Sequence, residues 1–170
     1  EGAGPYVNQT GRNDLVAAKV SIDATNIYFY VRTAAALTAP STNWMLLFID
    51  ADGDHSNGWL GCDFIVDRAG IAMTNGVGTT TVERNLGGYS WGDPVTVLLH
   101  YAGNELELAI PRSVLGANTT FDFKWADNIL QIGNWSDFTL NGDAAPNDRF
   151  KYRARFASPA EKSNENKSPN

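Results

Sequence analysis

Three aspartates, Asp50, Asp52 and Asp54, alternate at the end of an apolar run in "WMLLFIDADGDHSNGW" (44–59). Carboxylates this close, curled around Gly53, repel one another unless something neutralises them. A hard cation does so, and calcium accepts six to eight oxygen ligands at roughly 2.3–2.6 Å in irregular geometry. Further oxygens can come from the main chain at His55 and Asn57, and from Asp63 at the start of the next apolar run. The loop is not an EF-hand, which needs glycine where His55 stands and a glutamate closing twelve residues. Without a metal, the same residues make a solvated acidic turn whose side chains cap backbone amides. The expectation is a calcium ion on Asp50, Asp52, Asp54 and Asp63, with a structural role: it pins a long loop at a sheet edge.

A second chemistry is stacking. Sugars present C–H faces that lie against aromatic rings, and neighbouring polar side chains orient them. Trp59, Trp91 and Trp135 all fall in turn-rich segments, beside Asn57, Asp93, Asn134 and Asp137. Each would otherwise plug an end of the fold. Tyr30 and Arg32 share a strand face opposite Phe29 and can line a groove on a sheet.

Catalysis finds less support. Glu105 and Glu107 share one strand face, and Asp122 and Asp127 flank Trp125, but glycoside hydrolysis needs two carboxylates converging in a cleft. For a Ser-His-Asp reading His55 and His100 are the only histidines, and His100 alternates with apolar residues in a strand. A haem reading needs an axial pair such as a methionine with a histidine, from Met45, Met73, His55 and His100, without a C-x-x-C-H attachment motif. The expectation is a non-catalytic domain.

These residues must be held by strands. Short runs rich in Val, Ile, Phe and Tyr alternate with Gly, Asn, Asp and Pro. Strands are expected at 15–22, 27–33, 44–49, 63–68, 71–74, 79–84, 95–102, 105–110, 121–125 and 150–156. The first two form a hairpin, as do 95–102 and 105–110. "WMLLFI" is apolar at every position, which predicts a strand buried on both faces or roofed by loops. "PRSVLG" after the 105–110 strand can make one helical turn. In "FKYRARF" alternation sends Lys151, Arg153 and Arg155 to solvent. About ten strands in this length predict an all-β fold, a two-sheet antiparallel β-sandwich of jelly-roll or immunoglobulin-like form. Residues 1–157 make that domain, and the polar 158–170 a disordered tail or linker stub.

A net charge of −6 argues against nucleic acid or an anionic membrane as partner. No apolar run approaches the roughly 18 residues needed to span a bilayer. Cys62 stands alone, so no internal disulfide can form. No basic-then-apolar segment opens the chain, and Glu1 reads as a trimmed or mature start.

Three segments, in order, resemble a known group. "DATNIYFYVRTA" is similar to its early strand pair, "MLLFIDADGD" to its hydrophobic strand and acidic loop, and "NELELAIPRSVLG" to its E-x-A-I-P signature, with Glu107 at the glutamate. Together they resemble carbohydrate-binding module family 9 and the DOMON-like β-sandwiches, over roughly residues 12 to 143. That resemblance implies a secreted, calcium-binding accessory module, attached to a glycoside hydrolase and binding an oligosaccharide or polysaccharide. It also implies two alternatives: a spacer of the same fold without a sugar site, and a haem-binding electron carrier. The chain departs from the family at the sugar clamp. Trp44 lies inside the strand, Ile65 stands where the family has arginine, and "NGDAAPNDRF" lacks the second tryptophan.

Overall fold

A computed structural model describes residues 12–68, 70–75, 77–127, 131, 134, 137, 141–147 and 150–157. The strands are β1 (Leu15–Ile22), β2 (Asn26–Thr33), β3 (Leu46–Asp50), β4 (Phe64–Val66), β5 (Ala72–Thr74), β6 (Val77–Gly87), β7 (Ser90–Ala102), β8 (Glu105–Pro111), β9 (Thr120–Asp127), β10 (Asp143–Ala145) and β11 (Tyr152–Arg155). Among the described residues there is no α-helix. The fold is an all-β antiparallel sandwich, as the alternation predicts.

Its two layers are parts of one hydrogen-bonded sheet, in the order β1-β2-β8-β7-β6-β4-β3-β9-β10. Strand β5 pairs with β6, while β10 and β11 share the outer edge of β9. The sheet curls until its ends approach, where Asp143 of β10 accepts the backbone N–H of Leu15 in β1. Phe29 of β2 meets Phe121 and Phe123 of β9 across the interior, with ring centroids 5.7 and 5.4 Å apart. The alternating sets Ile27–Phe29–Val31 and Leu106–Leu108–Ile110 are fully buried against Leu47, Ile49 and Trp125.

Both expected hairpins form, with β1 on β2 and β7 on β8. The apolar run at 44–49 is buried on both faces. Leu47 and Ile49 enter the main core, while Leu46 and Phe48 face outward beneath Trp59 and Trp91. The strand itself begins at Leu46 rather than Trp44, because Met45 has φ of 48°, a left-handed conformation that breaks the ladder. Asp127 secures that kink by accepting the Met45 N–H at 2.9 Å. "PRSVLG" runs as successive turns after β8, with Val114 N–H donating to Pro111 O and Leu115 N–H to Arg112 O.

Strand β10 has no expected counterpart. "DAA" has too few apolar side chains to announce a strand, yet its residues are all buried. The expected tail at 158–170 and residues 1–11 of the expected domain lie outside the described residues.

Candidate functional site

The acidic loop begins where β3 ends. Asp50 closes that strand with no exposed surface. Carboxylate oxygens of Asp50, Asp52 and Asp63 lie within 4.8 Å of one another, so the loop does bring three of its four expected ligands together. Calcium with ligands at roughly 2.3–2.6 Å places opposite oxygens up to about 5 Å apart, so this spacing fits the ion. Asp54 is not in the group. Its carboxylate takes the Ser56 N–H at 2.9 Å and the Ser56 hydroxyl at 2.6 Å, and these two bonds hold its pKa down.

The same carboxylates also have protein partners. Asp50 Oδ2 lies 3.1 Å from Lys151 Nζ and 2.8 Å from His55 Nδ1, and Asp50 Oδ1 accepts the Gly53 N–H at 2.8 Å. Asp52 accepts the Asp54 N–H and the Asn57 side-chain amide, at 2.8 and 2.9 Å. Asp63 accepts the Ala51 N–H at 2.7 Å; burial nevertheless raises its pKa, and the Asp52 and Asp50 charges add to the rise. Asp122 brings a carboxylate oxygen within 4.8 Å of Asp50 and His55 and is held by Arg153 through two bonds of 2.8 and 2.9 Å.

Lys151 corrects a sequence expectation. Alternation sends it to solvent, but its side chain is only 10% exposed and turns back to the loop, where Nζ also donates to Leu60 O at 3.1 Å. The pull comes from a buried carboxylate that a pattern of apolar and polar residues does not reveal. Arg153 and Arg155 are exposed, as expected.

Trp59 and Trp91 come together, with ring centroids 6.4 Å apart and Tyr89 edge-on to both. Both are buried, at 6% and 8% exposure, because they roof Phe48 and Ile65 on the outer side of β3 and β4. In this arrangement neither presents an open ring face for stacking. Trp135 lies outside the described residues.

Tyr30 and Arg32 fall on an open face. The register across β1, β2 and β8 puts Lys19, Tyr30 and Glu107 in one row, and Ser21, Tyr28 and Ala109 in the next. A third row sets Arg32 against Glu105. Tyr28, exposed at 36%, donates its hydroxyl to Asp23 at 2.7 Å; Tyr30 donates to Glu105 at 2.7 Å. The Lys19 ammonium stands 5.2 Å from the Tyr30 ring centre. Lys19, Ser21, Tyr28, Tyr30, Glu105 and Glu107 line a shallow depression of about 350 Å³. Alternation puts Tyr28 on the same strand face as Tyr30 and Arg32, but it is not among the expected binding residues.

The other carboxylates weighed for catalysis are committed elsewhere. Asp122 is bound to Arg153, and Asp127 takes two bonds from Arg12 at 2.7 and 3.0 Å. No family model, curated protein or solved structure compared with the chain matches it.

Proposed function

We propose that this domain is a non-catalytic carbohydrate-binding module whose sugar surface is the outer face of β1, β2 and β8. The observation that carries the reading is the depression where two tyrosine rings stand among an ammonium and two carboxylates, with the Arg32 guanidinium in the neighbouring row. Rings supply the stacking face of a pyranose, and Lys19, Arg32, Glu105 and Glu107 supply donors and acceptors for its hydroxyls. The openness of the face suits a chain-like glycan better than a small enclosed ligand. The resemblance of the three sequence segments to family 9 and DOMON-like modules supports the same class, with a secreted polysaccharide-processing protein as the setting.

A glycan-array screen of the isolated domain tests it. Tyr28→Ala and Tyr30→Ala should each weaken glycan binding about fivefold or more, equivalent to about 1 kcal/mol per ring. Neither should change the melting temperature much, since Tyr28 is exposed and Tyr30 partly so. Unaltered binding in the double variant would move the sugar surface elsewhere.

The proposal keeps calcium as a structural ion, now on Asp50, Asp52 and Asp63 without Asp54. What supports it is the convergence of three carboxylates. Calcium should raise the melting temperature of the parent, EDTA should reverse the rise, and Asp52→Ala should abolish both effects. Identical melting curves in calcium and EDTA would remove the ion from the proposal and leave Lys151 as the cation bonded directly to Asp50.

A spacer of the same fold is the second reading, favoured by one observation: Trp59 and Trp91 are spent on roofing β3 and β4. The spacer reading expects no glycan bound in either buffer.

A further inference from the structure

Away from the acidic loop, the segment after β4 carries a group that nothing above uses. Asp67 follows Val66 in a left-handed conformation, φ 71°, and is 5% exposed. Both of its carboxylate oxygens are buried without a hydrogen-bond partner. A buried polar group left this way costs about 1–3 kcal/mol, and more when charged. Left-handed backbone at a non-glycine residue adds strain of its own. Folds seldom retain two such costs at one residue unless something occupies the site.

The surroundings indicate what that is. Asp67, Trp44, Pro40, Ser41, Gly70 and Ile71 line a depression of about 250 Å³. Its floor is buried Trp44 and Asp67; its mouth is exposed Ser41 and Gly70. Trp44 is 1% exposed and has spent its only donor on Thr38, at 3.0 Å to the carbonyl and 3.1 Å to the hydroxyl, so it closes the floor without opening a ring face. The Thr80 hydroxyl donates to Gly70 O at 3.2 Å. The nearby guanidinium groups are occupied: Arg68 pairs with Glu83, and Arg12 with Asp127 and Ser41.

One carboxylate and aliphatic walls do not make a metal site, because a divalent ion needs several oxygens. They do suit a small organic cation, whose charge meets the carboxylate while its carbon-bound surface lies against the half-buried Pro40 and Ile71. A volume of this size admits a ligand of a few heavy atoms rather than a polymer. We infer that the Asp67–Trp44 depression binds a small organic ammonium ion.

The full chain, labelled with ¹⁵N, should be titrated at pH 8.5 with tetramethylammonium chloride and separately with methylammonium chloride. Potassium and calcium chloride at equal ionic strength serve as controls. The expected result is saturable shifts of the Trp44 indole N–H and the Asp67 and Gly70 amides with at least one of the organic cations. Asp67→Asn, which keeps the side chain's shape, should weaken that binding by at least about tenfold. Three outcomes would overturn the inference: no saturable shift with either organic cation, equal shifts with potassium or calcium, or undiminished binding in Asp67→Asn. If that variant is misfolded, competition by the inorganic ions against the parent decides the matter alone.

Discussion

Lys151→Met should destabilise the fold by about 3 kcal/mol or more, in the range expected when one partner of a buried ion pair is removed. The methionine keeps the length and most of the apolar stem but takes away the ammonium 3.1 Å from Asp50 Oδ2. Asp50, fully buried, would then face its charge with His55, whose side chain is 60% exposed, and the Gly53 amide. Urea unfolding of parent and variant measures the loss. Adding Asp50→Asn to the variant should recover much of it, because an amide needs no counter-charge. Calcium should also narrow the gap if the ion sits on Asp50, since it returns positive charge to the same oxygens. A loss below about 1 kcal/mol would mean that the pair is no stronger than an ordinary surface bridge.

Asp67 gives the second large effect, and its sign runs against habit. Burial pushes its carboxyl up to about 8. In the unfolded chain the group titrates near 3.9. Between those values the folded state holds a proton that the unfolded state has released. Stability from this group is therefore complete below about pH 4, falls as pH rises and levels off above about pH 8. The slope is about 1.4 kcal/mol per pH unit while both conditions hold. Asp67→Asn has no proton to lose, so its advantage over the parent should grow by several kcal/mol between pH 5 and pH 8.5. Comparing the two proteins at each pH cancels the titration of every other carboxylate. A difference that stays constant across that range would show that Asp67 is solvated and ionised in the fold.

The strands and their burial were largely legible in the sequence because their signal is local. Ile27, Phe29 and Val31 alternate, and they all enter the core. "WMLLFI" does not alternate, and β3 is covered on both sides. Asp50, Asp52 and Asp63 converge because the loop 51–63 doubles back until the Asp63 N–H donates to Ile49 O, and its glycines let the chain turn. What the pattern missed depends on contacts far along the chain. Lys151 looks like a solvent residue from its own strand, and only Asp50 makes it otherwise. Trp59 and Trp91 sit in turn-rich segments that resemble a binding loop, but their rings fold over Phe48. Asp67 gave no warning at all: an acidic residue after a short apolar run reads as an ordinary turn, and neither its burial nor its left-handed backbone is written in its neighbours.

The bonds that close the sandwich join residues from opposite ends of the chain. Lys151 reaches Asp50 across 101 positions, Arg12 reaches Asp127 across 115, and Leu15 reaches Asp143 across 128. A ribosome releases β3 and its acidic loop long before β11 exists, so Asp50 spends most of synthesis without its lysine. The nascent chain can pair β1 with β2, but it cannot close until nearly the last described residue has emerged. Such non-local closure places the domain among slow folders, on a scale of milliseconds to seconds. Until then the unpaired edge of β9, where β10 and β11 will later lie, is open to strands from other chains.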